Sequence, residues 1–228
     1  LSFATMTVYA LVTILTFIFV KIFSLNNRTF LAPLIFGNTG NIGLPLSYFA
    51  FGAEGLDYAV VIFALMGIYA FTFGVWIVSG GGALIKTIKE PMVGATILGA
   101  VFLWQGWETP QFITSTCELV GQMAIPLMLI TLGVAIARLK PHNLFTATGY
   151  AFVKLTICTV CSLLVAYWFS LSHVPMAILI LQLTTPVAVT SYLIANKYEA
   201  DSESVASLVI VSTILSIVYI PILLLFLI

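Results

Sequence analysis

Three observations predict an all-α polytopic membrane protein arranged as an inverted repeat around two broken helices. They are the composition, the alternation of positive charge along the chain, and a motif that recurs. Of 228 residues, 61% are hydrophobic and 7% charged, against roughly 25% charge in soluble domains. All but one of the lysines and arginines fall in alternate loops between apolar segments. Two of those segments carry proline among polar residues at mid-depth. Irregular backbone is tolerated in hydrocarbon only where protein buries it or where it lines a polar cavity.

Eight apolar spans can be marked in order: Phe3–Phe23, Phe30–Phe51, Leu56–Val78, Met92–Trp107, Phe112–Ala137, Leu144–Phe169, Met176–Ala195 and Val205–Ile228. Each is predicted as a helix, because only helices and closed barrels satisfy their backbone within a bilayer. The fourth is short and ends in Trp104 and Trp107, which suit a membrane interface. Lys21, Arg28, Lys86, Lys89, Arg138, Lys140 and Lys197 all lie in or beside odd-numbered loops, while the even-numbered loops carry Glu54, Asp57, Glu108 and His173. Positive loops stay inside, so the expected placement is an integral membrane protein with odd loops cytoplasmic and both ends of this chain outside. The lipid bilayer is then the expected surrounding. A net charge of zero gives no reason to expect nucleic acid.

The spans also repeat. An offset of 144 residues lays Ser47-Tyr48 on Ser191-Tyr192 and Asp57 on Asp201, and registers spans one, two and three with six, seven and eight. Five spans is an odd displacement, so the two copies have opposite orientations, a recurrent plan of secondary transporters. The expected division is 1–79 for the remainder of the first repeat, 80–90 for a cytoplasmic linker and 91–228 for the second repeat. A complete first repeat calls for two more helices before Leu1.

The two broken spans are the candidate site. In the first, Gly37, Gly40, Gly43 and Pro45 weaken the helix while Asn38, Thr39 and Asn41 supply polar groups. In the second, Thr184, Thr185, Pro186, Thr190 and Ser191 repeat the pattern within the stretch that begins at Gln182. Interrupted spans at corresponding places in two halves are the best sequence pointer to a transporter's binding site. Neutral donors beside backbone amides freed at half-helix N-termini suit a carboxylate without a full cationic partner. The competing reading is a kinked structural helix whose polar groups satisfy only its own backbone.

At these residues the chain resembles the auxin efflux carrier family, the plant auxin exporters and their bacterial relatives. The resemblance rests on Gly37 to Pro45, on Ala124-Ile-Pro-Leu-Met-Leu-Ile-Thr-Leu-Gly133, and on Thr185-Pro186 through Tyr192 to Tyr198. It implies ten helices in two inverted repeats of five, of which eight are present here, two broken helices that cross near the midplane, and a secondary transporter of the efflux-carrier type. The implied cargo is a small organic anion moved by alternating access in an elevator-like manner. The family's substrate-contacting asparagine falls on Asn38. The resemblance further implies a scaffold from spans four and five, a mobile part from the other six, and a homodimer formed through the scaffold helices. Gly37 and Gly40 stand where plant members carry other residues. The short loop Ser79–Glu90 resembles bacterial members and implies a cytoplasmic (inner) membrane.

Other residues are read against plainer roles. Lys154 is the lone basic residue well inside a span; it could attract the anion, or stand against a broken helix in place of a coupling cation, or snorkel to the surface. Glu118 lies near the outer end of span five with Gln122 one turn on, an interface position rather than a proton relay. Cys158 and Cys161 read as buried small hydrophobes, and Tyr48, Tyr69 and Tyr192 as packing or pocket lining. No catalytic group, metal site or cofactor is expected. Both histidines lie in loops and both aspartates near membrane surfaces, which leaves an intramembrane hydrolase without its machinery. A passive anion channel is the alternative to a carrier.

Overall fold

The computed structural model describes residues 1–81, 91–107 and 109–228. Lys86, Lys89, Glu108 and most of the expected linker lie outside the described residues. Helix α1 (Ser2–Ile22) leads through a tight turn to a half-helix, α2 (Asn27–Ile35). After a break, a π-helical turn (Thr39–Gly43) runs into α3 (Leu44–Tyr69), then a second π-helical turn (Ala70–Gly74) and the short α4 (Val75–Val78). Next come α5 (Pro91–Gln105), α6 (Gln111–Gln122) and α7 (Ala124–Ala137). The remainder is α8 (Leu144–Trp168), the half-helix α9 (His173–Thr184), a second break, α10 (Val189–Lys197) and α11 (Ser202–Leu227). The described residues are thus helical throughout apart from turns and one isolated β-bridge.

Among the described residues, five helical stretches are long and apolar enough to cross a membrane: Ser2–Ile22, Thr39–Val78, Gln111–Ala137, Leu144–Trp168 and Ser202–Leu227. The sequence marks eight spans, and the difference has physical causes. Spans two and seven are each divided by a break, so neither half reaches bilayer length. Span four forms a helix of 15 residues, about 22 Å at the α-helical rise. Spans two and three merge, because the turn between them shrinks to Gly52, whose φ of 65° and ψ of −152° kink α3.

Corresponding turns reveal the repeat better than residue identities do. Helices α1 and α8 end alike: Leu25 N–H bonds Val20 O (2.9 Å) and Leu171 N–H bonds Ala166 O (3.1 Å), with Ser24 and Ser170 at φ 51° and 48°. Both are left-handed caps closed by a six-residue backbone bond. The next left-handed turns are Gly52 and Glu199 (φ 54°). These pairs lie 146 and 147 residues apart, whereas the two breaks register at Gly37 and Val187, an offset of 150. One constant offset of 144 therefore does not hold. Half-helix α9 has 12 residues to the 9 of α2, and the π-helical turn lengthens the first copy after its break, so the offset widens and then narrows.

The half-helices lie at the centre. Residues 31–40 and 177–189 are buried without interruption, enclosed by α1, α3, α8 and α11. By contrast α6 buries no residue and α7 buries only Leu132. On the surface, Arg28 donates Nε–H to Val78 O (2.8 Å) and Nη2–H to Tyr198 O (2.7 Å). One guanidinium thereby bridges the C-terminal ends of α4 and α10, where helix carbonyls are unpaired and partially negative.

Candidate functional site

The two breaks meet as a minimal antiparallel bridge. Gly37 faces Val187; Asn38 N–H donates to Pro186 O (2.7 Å) and Ala188 N–H to Phe36 O (3.2 Å). Ser212, reaching in from α11, accepts from Val187 N–H at 3.0 Å. Each extended segment therefore satisfies the other's backbone in a place without water. The sequence reading that the breaks leave their amides free is corrected here: those of Asn38, Val187 and Ala188 are paired. The groups opening the next helix are different. In the first turn, N–H groups have no preceding helical carbonyl to bond, which applies to Thr39, Gly40 and Asn41 after the first break.

The approach is close because the facing positions lack side chains. A Cβ on Gly37 would overlap Thr185 Oγ1 and sit 3.2 Å from Thr185 O. One on Gly43 would overlap the Gln182 carboxamide, and one on Gly40 would lie 2.8 Å from Phe63. Gln182, fully buried, donates Nε2–H to Ser47 Oγ at 3.2 Å and so ties α9 to α3.

With the amides of Asn38, Val187 and Ala188 paired, three buried side-chain atoms at the crossing have no partner among the described residues: Asn38 Nδ2, Thr39 Oγ1 and Gln182 Oε1. Asn38 is 5% exposed, and its side chain caps neither half-helix. An unpaired buried polar group costs about 1–3 kcal/mol, and these atoms are available to a ligand's groups. None of the three completes the broken helix, which is what the competing reading requires of them.

The other sequence-chosen residues divide. Thr184 and Thr185 are buried, but their hydroxyls donate back to Ile180 O (2.8 Å) and Gln182 O (2.7 Å) and close the end of α9. Pro186 lies in the second break, and its carbonyl takes the Asn38 amide. Ser191 is buried one turn into α10, Asn41 is half-buried, and Thr190 is exposed. Pro45 calls for a correction: it sits in the first turn of α3, beyond the break at 36–38. Its missing N–H and its ring would disrupt a regular turn ending there, and the π-helical turn just before it accommodates both.

Lys154 is 3% exposed and does not snorkel. It lines a cavity of about 10 Å³ with Thr184, Thr185, Pro186, Ser212 and Tyr219. Glu118 and Gln122 are exposed on α6. Cys158 and Cys161 are buried, as their apolar surroundings predict. Tyr69 bonds Thr13 (3.0 Å) and stacks on Phe73, a packing role. Two contributors were not singled out from sequence. Gln182 carried a signal, a carboxamide in mid-span beside the second break. Ser212 carried none, since a serine in an apolar helix gives no hint of a partner 25 residues away.

Residues 77–224 match the profile of the membrane transport protein family. The chain belongs to this family. It is the assignment to which the resemblance with auxin efflux carriers pointed. Two archaeal relatives, each named an uncharacterized transporter, agree with it. The protein of Methanothermobacter thermautotrophicus is 28% identical over 193 residues, and that of Methanocaldococcus jannaschii 23% over 199; each alignment covers 81% of this chain. The chain spans 63% of the length of either relative. The family assignment and the apolar helices together make this an integral membrane protein.

Proposed function

We propose that the protein, as a whole chain, carries a small organic anion such as a carboxylate across the membrane by alternating access. The observation that carries this reading is the Asn38 carboxamide left over after the crossing has satisfied its own backbone. Beside it open the first-turn amides of the Thr39–Val78 stretch, at a helix N-terminus that favours negative charge. Asn38, Thr39, Gly40 and Asn41 provide the anion end of the site, with Gln182 opposite. Gly43 leaves room for Gln182, and Thr184, Thr185, Pro186 and Ser191 frame the second break; Pro45 and Thr190 act at a distance. Each neutral hydrogen bond contributes a net ~1 kcal/mol, far less than a broken buried ion pair costs, so the cargo can leave as well as enter.

A carrier fits better than a channel because the crossing is sealed: Thr39, Gln182 and Val187 are all fully buried. In an elevator-like cycle α1–α4 and α8–α11 move together against α5–α7. The scaffold helices are the candidate homodimer face. The deciding experiment is a screen of radiolabelled mono- and dicarboxylates on the full-length protein in liposomes, with and without a proton gradient. Saturable uptake that accelerates with internal unlabelled substrate is expected. Conductance above carrier rates would indicate the channel, and failure to bind or move any organic anion would remove the reading.

We place the protein in the cytoplasmic membrane with the basic loops inside. In a cysteine-free background, a cysteine beside Lys140 should be shielded from an impermeant thiol reagent in intact cells. A cysteine beside Glu108 should react. Labelling at Lys140 instead would overturn both the topology and the inversion of the two copies.

A further inference from the structure

Lys154 Nζ lies in the membrane interior, and the one partner it meets among the described residues is Cys158 Sγ on its own helix, at 3.8 Å. A thiol sulfur is a weak acceptor, so it does little to offset the loss of water around an ammonium. The cavity that Lys154 lines explains the placement. Its wall includes the hydroxyls of Thr184, Thr185, Ser212 and Tyr219. Every one of these protons is already committed to a backbone carbonyl: Thr184 to Ile180 O, Thr185 to Gln182 O, Ser212 to Val209 O (3.2 Å) and Tyr219 to Thr184 O (2.7 Å). What the hydroxyls have left to offer is oxygen lone pairs, of which Ser212 already gives one to Val187 N–H. A wall of neutral oxygens is the donor set that hard monovalent cations take, and it repels an anion.

We infer that the second break carries a monovalent-cation pocket, lined by the oxygens of Thr184, Thr185, Ser212 and Tyr219, beside which the tethered ammonium of Lys154 stands. The lysine is then a built-in counterpart of a coupling ion. It supplies positive charge beside the break without a free metal ion, whatever anion the crossing takes. Removing the side chain beyond Cβ should open the pocket to a free cation of similar size, Na⁺ or methylammonium.

The test measures thermal unfolding of the purified full-length protein in NaCl, KCl, methylammonium chloride or choline chloride at one ionic strength. The parent should show the same Tm in all four salts. Lys154→Ala should be less stable in choline and regain about 3–6 °C, saturably, with Na⁺ or methylammonium, as expected for a ligand that binds only the folded state. Lys154→Gln, which fills the space without charge, should respond to no cation. The inference is overturned if Lys154→Ala shows no cation-specific gain, or if choline serves as well as Na⁺. It is equally overturned if the parent or Lys154→Gln shows the same gain, or if Lys154→Ala cannot be recovered folded even with methylammonium present. None of these readouts requires the transported anion, so the outcome is separate from that of the proposed transport.

Discussion

Asn38→Leu is expected to leave the empty protein at least as stable as the parent while weakening its affinity for the anion. The reason is that Asn38 Nδ2 is buried without a partner among the described residues. Such a group costs about 1–3 kcal/mol, and an apolar side chain of similar shape avoids that cost. A gain of a few degrees in Tm follows for a chain of this size. Asn38→Ala should raise the dissociation constant roughly five- to thirtyfold, equivalent to ~1–2 kcal/mol for one hydrogen bond to a charged group. Asn38→Asp should be worse, beyond roughly a hundredfold, because a carboxylate removes the donor and repels the substrate as well. Thermal unfolding without substrate, paired with direct binding of the anion found in the carboxylate screen, separates the two effects. Clear destabilisation of Asn38→Leu would make the amide structural. Undiminished binding by Asn38→Asp would place the site elsewhere.

The sequence made the helical class and the two broken spans legible because both follow from rules that act locally. Charge is costly in hydrocarbon, and glycine and proline weaken a helix wherever they fall. Pairing between the breaks was not legible, since Asn38 and Pro186 are far apart in the chain and a backbone bond leaves no mark on side-chain identity. Proline misled in the first copy for a related reason. It signals a disturbed turn but does not say whether the backbone answers with a break or with a wider turn; Pro45 has a π-helical turn before it, and Pro186 lies in a break. The threonines misled differently. A hydroxyl can turn back onto its own helix, as Thr184 and Thr185 do, so a polar residue in a break need not face a ligand. The repeat was visible in outline, yet its register shifts with the lengths of α2 and α9, which no identity in the sequence records.

Gly37→Ala should be among the most damaging single-methyl changes in the protein, and the loss should depend on Thr185. The added Cβ would overlap Thr185 Oγ1 and press on Thr185 O at 3.2 Å. To make room the breaks must part, which puts at risk the bonds from Asn38 to Pro186 and from Ala188 to Phe36. Both are buried in a region where water cannot replace them, so a loss of about 2–5 kcal/mol is expected. Thr185→Ala alone removes one hydroxyl that caps Gln182 O and should cost about 1 kcal/mol. In the double variant the clashing oxygen is gone, so the two losses should not add. The double protein should be more stable than Gly37→Ala alone, with a coupling of about 1–2 kcal/mol between neighbouring sites. The carbonyl of Thr185 remains in place, so recovery should be partial. Gly37→Val, with two further methyls aimed into the same gap, should yield no folded protein in either background. Unfolding curves for the parent, both single variants and the double complete the cycle. Strict additivity would mean that Gly37 and Thr185 do not touch, and the close crossing of the two breaks would have to be abandoned.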